Sequence, residues 1–558
     1  MEETYDVVVV GAGGAGMTAA LAAADHGLDT VLIEKSAYFG GSTARSGGGV
    51  WVPGNAALKA AGQVSATDRQ DASDYLQAIV GDEVPKIRRE TFLDRGPEVI
   101  DFLLNKTPVK LKWVPGYSDY LPEQPGGRAQ GRSVEPIPMD GRVLGDELER
   151  LHPPYAKAPA NLIVTQADFR KISLGLRSIR GPITMMRVVI MRIISSLLGR
   201  KMYAMGNALT ISLRKALLDA KVPVYYETEL TGLVIENGRV VGVRAQRDGE
   251  EVVIRARRGV ILGSGGFEKS EALREKYLPS PTDADWSTAA ASNTGAGIEA
   301  GVAIGAAIDM MDDAWWGPTI PLPNGPWFCL SERNLPGSII VNSAGKRFMN
   351  EALPYVEATH EIYKGEATGV SHVPAWLIID QRYRNRYLFA GLSPRQPFPG
   401  RWLKSGAVVK ASSLDKLAEA ISVPTDALAS TIERFNGFAK TGNDEDFHRG
   451  DSAYDRYYAD PRVKPNPSLH SIDQGPFYAV KIVPGDLGTK GGIVTDERAR
   501  ALRADGSVIE GLYAAGNVSS AVMGHTYAGP GATIGPAMTF GYLAAEDIAR
   551  SSSEGVVA

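Results

Sequence analysis

The segment that most restricts this chain lies at its start, where Val7-Val8-Val9-Val10 runs directly into Gly11-Ala12-Gly13-Gly14-Ala15-Gly16. Four β-branched residues without polar alternation predict a parallel strand covered on both faces. Glycine at 11 permits a tight turn, glycine at 13 lets backbone approach a pyrophosphate, and glycine at 16 lets a helix pack closely on the strand. The alanine-rich stretch 14–26 predicts a helix that Gly27 stops, and Thr30-Val31-Leu32-Ile33 predicts a second strand ending at Glu34. A carboxylate there can accept both hydroxyls of a ribose, while the helix start offers phosphates its unpaired N–H groups and the positive end of its dipole. Strand, glycine turn, helix and acid make a whole βαβ unit, which predicts a bound dinucleotide.

The residues beyond it choose between NAD and FAD. In place of further βα units the chain continues as Tyr38-Phe39-Gly40-Gly41-Ser42-Thr43-Ala44-Arg45-Ser46-Gly47-Gly48-Gly49, where glycines and hydroxyls let backbone wrap a large planar ligand. Gly259-Val260-Ile261-Leu262-Gly263-Ser264-Gly265-Gly266 follows a β-meander pattern (Val234 to Val243, then Glu251 to Arg255), and Gly511-Leu512-Tyr513-Ala514-Ala515-Gly516-Asn517 is a second apolar strand ending in Gly-Asn. A helix from about Ile534 to Ile548 would aim its N-terminus at the pyrimidine end of a flavin, where negative charge develops on reduction. FAD is therefore the expected cofactor. Its expected contacts are Gly11, Gly13, Gly14, Ala15, Gly16, Glu34, Lys35, Ser36, Gly41, Ser42, Thr43, Ser46, Gly47, Gly48, Gly265, Gly516, Asn517, Thr533 and Ile534. These positions are scattered along the chain, so the flavin domain is expected to be discontinuous.

A chain of 558 residues exceeds one hydrophobic core and predicts two domains. The net charge of −4 points neither to nucleic acid nor to a polyanionic substrate. A single cysteine, Cys329, excludes an intramolecular disulfide, a cysteine-ligated iron–sulfur cluster and a CxxC redox pair. No metal site is expected, and electrons must sit on the organic cofactor.

With these segments in place the chain resembles the flavoprotein group of fumarate reductases and 3-ketosteroid dehydrogenases, and the Δ1-dehydrogenases within it most closely. The resemblance runs nearly end to end. It is carried by the segment Gly41 to Trp51, Pro115-Gly116-Tyr117-Ser118-Asp119-Tyr120, Asp312-Asp313-Ala314-Trp315-Trp316-Gly317-Pro318, Lys346-Arg347-Phe348-Met349-Asn350-Glu351, Asp486-Leu487-Gly488-Thr489-Lys490-Gly491-Gly492 and Gly524-His525-Thr526-Tyr527. It implies an α/β fold in which a Rossmann-like discontinuous FAD-binding domain (1–312 and 478–558) carries an inserted α+β catalytic, or capping, domain (313–477). It also implies 1,2-dehydrogenation of 3-ketosteroids in steroid or sterol degradation, with Tyr120, Tyr355, Tyr527 and Gly531 in the active site.

That chemistry suits those groups. Forming a double bond beside a ketone removes a hydride, for which flavin N5 is the acceptor, and a proton acidified only if charge spreads onto the ketone oxygen. A tyrosine O–H and a glycine N–H supply donors there without burying a charge. A tyrosine base has an unperturbed pKa of about 10 and needs a second hydroxyl to stabilise its phenolate, the role the resemblance implies for Tyr120 beside Tyr355. Alternatives are a steroid dehydrogenase of other regiochemistry, a fumarate-type reductase, or a membrane-associated flavoprotein without this activity. A diacid substrate would need arginine and histidine at the ligand, for which Arg347 and His525 are the nearby candidates. An apolar pocket walled by Trp315, Trp316, Trp327, Phe328, Met523 and Phe540 suits a 3-ketosteroid better.

Between Phe169 and Leu218 there is no Asp or Glu but there are ten Lys or Arg residues, and a basic apolar insertion is expected over about 160–205. Pro182 to Leu198 is too short, and its two central arginines too costly, for a membrane span, which predicts an interfacial helix on an anionic bilayer. The N-terminal residues lack the basic patch and apolar run of a secretory signal. The expected location is cytoplasmic, peripheral on the inner face of the membrane, with an electron acceptor for which a quinone is one candidate.

Overall fold

The computed structural model of the protein describes residues 2–155 and 162–554. Residues 160 and 161, the start of the expected insertion, lie outside the described residues.

The valine run lies in the strand Glu2–Val10, which pairs in parallel with Thr30–Ile33 on one side and Glu250–Leu262 on the other. Val7, Val8 and Val9 are fully buried, as a strand covered on both faces requires. Val508–Ala514 adds a further parallel strand through Val260↔Leu512, and Val224–Tyr225 extends the opposite edge. The glycines after three of these strands, Gly11, Gly263 and Gly516, therefore meet at the carboxyl ends of one sheet, the usual place for a ligand in such sheets. Helix Gly14–Asp25 returns the chain between the first two strands. Helix Ile534–Glu554 packs on it so closely that a Cβ at Gly541 would stand 2.6 Å from the Ala15 carbonyl oxygen.

The meander comprises Thr228–Glu236, Arg239–Arg247 and the first half of Glu250–Leu262. The last strand runs unbroken through Gly259 because its first half also pairs with Glu2–Tyr5. One strand thus belongs both to the hairpin layer and to the parallel sheet.

A second, antiparallel sheet is built from Ala314–Ile320, Ser338–Val341, Ala375–Asp380, Val408–Ala411 and Phe477–Thr489, with Trp327–Phe328 at one edge. Phe477–Thr489 pairs with Ala375–Asp380 at its start and with Ala314–Ile320 at its end, and so reaches from the second sheet to the wall of the first. There the Asp486 carboxylate meets Arg274 at 2.7 Å, both side chains fully buried, and accepts the Ser287 hydroxyl. Pro354 starts the helix Tyr355–Glu366, which packs on Ala314–Ile320 and places Tyr355 as its first residue.

Helix Arg180–Leu197 turns Gly181, Thr184, Val188 and Ser195 inward. Its other face exposes Ile183, Met186, Ile190, Ile193, Ile194 and Leu197, the last 81% accessible. No helix of the described residues is long and apolar enough to cross a membrane.

Candidate active site

A cavity of about 1250 Å³ runs from the carboxyl ends of the parallel strands into the gap between the two sheets. At the nucleotide end Glu34 is buried. One carboxylate oxygen accepts the Ala12 N–H at 2.7 Å and the other the Ser36 N–H at 2.8 Å. Each oxygen keeps a second lone pair for a ribose hydroxyl. Burial pushes the Glu34 carboxyl above its usual range, and the two N–H groups oppose that shift. A Cβ added at Gly13 would meet no protein atom within 4 Å, whereas one at Gly16 would stand 1.9 Å from the Gly11 carbonyl oxygen. The first glycine therefore leaves the cavity open and the second closes the helix onto the turn. Open backbone at a helix start, a ribose-ready acid and a long groove fit FAD.

Of the expected cofactor contacts, Gly11, Gly13, Gly14, Ala15, Glu34, Lys35, Gly41, Ser42, Thr43, Ser46, Gly47, Gly48, Gly265, Gly516, Asn517, Thr533 and Ile534 line the cavity. Gly16 and Ser36 lie behind it, one packing the helix and the other capping Glu34. Asn293 is a wall residue that sequence reasoning did not single out. Its amide donates to Ser42 Oγ at 3.0 Å and to the buried Glu268 at 2.6 Å, whose carboxyl is pushed up to about 7 by burial and then by neighbouring Asp486. Arg45, bonded to the Thr288 carbonyl, is another.

Tyr120, Tyr355, Tyr527 and Gly531 come together at the far end of the cavity. Tyr120 lies on a loop whose Asp119 is held by Trp51 Nε1 at 2.9 Å, the Arg128 N–H at 3.0 Å and the Arg132 guanidinium. Its own N–H donates to the Ala528 carbonyl, tying this loop to the one carrying Tyr527. The Tyr120 hydroxyl donates to the Tyr355 oxygen at 2.9 Å, and the three rings stand edge to face with centroids 5.1–5.5 Å apart. Burial drives the Tyr120 and Tyr355 phenols well above 10, and the Tyr120 hydroxyl partly offsets this at Tyr355. Tyr527 also rises through burial, opposed by Thr533, Tyr355 and the Gly531 N–H around its oxygen. Gly531 has φ +95°, and a Cβ there would fall 2.2 Å from the Gly49 carbonyl oxygen, so glycine alone fits.

The neighbouring tyrosines are bound elsewhere. Tyr363 donates to the Pro281 carbonyl, Tyr383 to that of Glu332 and Tyr387 to Asp460. Trp315, Trp327 and Phe328 line the cavity. Trp315 Nε1 also donates to Asn517 Oδ1, which joins the aromatic wall to the cofactor loop. Trp316 instead donates to Asp313, and neither Met523 nor Phe540, the latter on the helix Ile534–Glu554, lines the cavity. Arg347 is paired with Glu351 and Asp444, and His525 with Glu83 and Asp312; neither faces the cavity, leaving no clamp for a diacid from these two. Tyr117 and Tyr458 do face it, and sequence reasoning missed them as site residues; three tyrosines within Tyr454–Tyr458 were the available signal.

Comparison with known proteins shows the family. Residues 6–534 match the model of the FAD binding domain family. The chain is 58% identical over 560 residues to the 3-oxosteroid 1-dehydrogenase of Mycolicibacterium smegmatis, covering 99% of this chain and 98% of that one. It is 55% identical to the enzyme of the same name from Mycobacterium tuberculosis, with 99% of both chains covered. Among solved structures, 3-ketosteroid Δ1-dehydrogenase from Sterolibacterium denitrificans, in complex with 1,4-androstadiene-3,17-dione, superimposes with a TM-score of 0.93 at 38% identity, over 98% of this chain and 100% of that one. The chain belongs to the FAD-dependent 3-oxosteroid 1-dehydrogenases.

Proposed function

We propose that Tyr355 removes the proton from carbon 2 of a 3-keto-4-ene steroid while Tyr527 O–H and Gly531 N–H hold the ketone oxygen. Bound FAD supplies the acceptor for the hydride from carbon 1. The observation that carries this reading is the 2.9 Å hydrogen bond from Tyr120 to Tyr355 in a cavity that Trp315, Trp327 and Phe328 also line. Tyr355 needs that bond because a buried phenol far above its usual pKa is a poor base until a donor steadies its anion. Tyr527 and Gly531 are uncharged donors, so they can stabilise the developing enolate without the cost of a buried ion. The antiparallel unit around 313–477 would act as the catalytic cap on a Rossmann-like flavin domain, excluding water from the reacting carbons. Tyr355→Phe should retain FAD while an anaerobic addition of 3-ketosteroid no longer bleaches it. Bleaching at the wild-type rate would overturn the assignment.

The same reading extends to the membrane surface. The exposed face of helix Arg180–Leu197 is apolar, while Lys171, Arg180, Arg192, Arg200 and Lys201 have no carboxylate partner among the described residues. Such a surface suits the boundary of an anionic bilayer. Met185, Arg192 and Ser195 on its inner side line the cavity, so a membrane-dissolved steroid would meet the protein beside its binding site. A membrane quinone would be a fitting electron acceptor at the same surface.

A further inference from the structure

We infer that Arg88 raises the reduction potential of the bound flavin, its buried and unpaired positive charge favouring the more negative, reduced form of the cofactor. The inference needs FAD in the cavity but not Tyr355 as the base.

A hydride taken from carbon 1 of the steroid carries two electrons and one proton to the flavin. The reduced cofactor therefore holds one more negative charge than the oxidised one, and a positive charge close to it assists the transfer.

Arg88 lies in the first turn of the helix Lys86–Lys106, which packs on the helix Ile534–Glu554. Its buried guanidinium donates to the Ser520 carbonyl at 3.2 Å, meets Ser520 Oγ at 3.5 Å and lies 5.3 Å from the centre of the Phe540 ring. Among the described residues it has no carboxylate partner, and its Nε has no hydrogen bond. Neither burial nor the positive end of a helix favours a cation there. Burial pulls the guanidinium down only to about 10, so it keeps its charge at neutral pH.

A second chamber, of about 30 Å³, sets this charge against the flavin site. Arg88 lines it, and Trp315, Gly516, Asn517 and Thr533 line both this chamber and the main cavity. The shared wall lies at the reacting end, because Thr533 Oγ1 is 3.3 Å from the Tyr527 hydroxyl and the Trp315 ring is 4.8 Å from the Tyr527 ring. Lys490 is the other charged residue of the chamber, and Asp313 neutralises it at 2.7 Å. Arg88 thus gives the wall its net positive charge.

Arg89 is the internal contrast. It is as deeply buried and also without a carboxylate partner among the described residues, yet its guanidinium donates to the Leu76 carbonyl and to Gln77 Oε1, and it lines neither space. Two neighbouring arginines carry the same charge, and one of them backs onto the flavin wall. Arg88 does not line the main cavity, so it acts across that wall and is a positioning residue rather than a catalytic one.

At an effective protein dielectric of about 20, opposite unit charges within about 12 Å shift an equilibrium about tenfold or more. For a two-electron couple a factor of ten is about 30 mV. The test is the potential of the FAD-loaded enzyme, read against a reference dye during anaerobic reduction. Arg88→Gln, which removes the charge, and Ser520→Asp, which places a carboxylate beside it, should each lower the potential by at least about 30 mV. Arg89→Gln should leave it at the wild-type value. An unchanged potential in Arg88→Gln or Ser520→Asp with FAD bound, or an equal fall in Arg89→Gln, would overturn the inference. If Arg88→Gln fails to hold FAD, Ser520→Asp decides, since it keeps the arginine and its packing.

Discussion

Replacing Tyr527 by Phe removes one oxygen from a ring that the rest of the site already immobilises. Trp315, Tyr120 and Tyr355 surround the ring at centroid distances of 4.8, 5.1 and 5.5 Å, and the residue is 3% exposed. Beyond the groups it shares with the substrate, the hydroxyl has only a long contact with Thr533 Oγ1 at 3.3 Å. Losing a neutral bond of that kind costs about 0.5–1.5 kcal/mol at most, so fold and FAD content should be retained. In the transition state the substrate oxygen would keep Gly531 N–H but lose its second donor, a loss of about 2.7–4 kcal/mol. At about 1.36 kcal/mol per factor of ten, this is roughly a 100- to 1000-fold fall in kcat. KM should change little, because the neutral ketone draws less on the donor than the enolate does. Steady-state rates with a 3-ketosteroid and an artificial acceptor, beside a steroid-binding titration, measure both quantities. A raised KM with near-normal kcat would refute the reasoning, since Tyr527 would then bind ground state and transition state alike.

Gly16→Ala places a methyl 1.9 Å from the Gly11 carbonyl oxygen, which must move the phosphate-binding turn; FAD affinity should fall by at least about tenfold, or 1.4 kcal/mol, in a titration of apoprotein. Lys490→Met strands the buried Asp313, whose carboxylate lies 2.7 Å from Lys490 and 2.8 Å from His360, and stability should drop by about 3–5 kcal/mol. Burial alone would raise the Asp313 carboxyl, but Lys490 and His360 together hold it well below the usual range. Its stabilising contribution is therefore full above the unfolded value of about 3.9 and is lost as pH falls towards the lower folded value. Without Lys490 the folded value rises, so the variant's deficit should be largest near neutrality and shrink on acidification; a pH-independent deficit in thermal unfolding would contradict this. Asp at both Ile190 and Ile194, which are half exposed on the apolar helix face, should abolish co-flotation with phosphatidylglycerol vesicles yet leave turnover of dissolved steroid unchanged. Retained flotation would remove that face as the membrane contact.

The nucleotide site was legible because everything it needs is local. Val7–Val10, the three glycines, the alanine helix and Glu34 lie within thirty residues, and each acts through backbone geometry that residue type alone constrains. That Pro182 to Leu198 forms a helix was legible for the same reason, since a run of apolar residues with few breakers is a local signal. The tyrosines were not legible in this way. Among 21 of them no spacing distinguishes Tyr355 from Tyr363 or Tyr383, and only the family motifs marked it. Folding separates them by their partners: the latter two hydroxyls donate to main-chain carbonyls away from the cavity, whereas Tyr355 receives Tyr120. By itself the sequence determined that the chain holds FAD, and singled out the βαβ segment with its glycines and Glu34. The tertiary structure decided which hydroxyls are bonded to each other, because a 2.9 Å bond between residues 235 positions apart depends on how two sheets and their loops pack rather than on any local pattern.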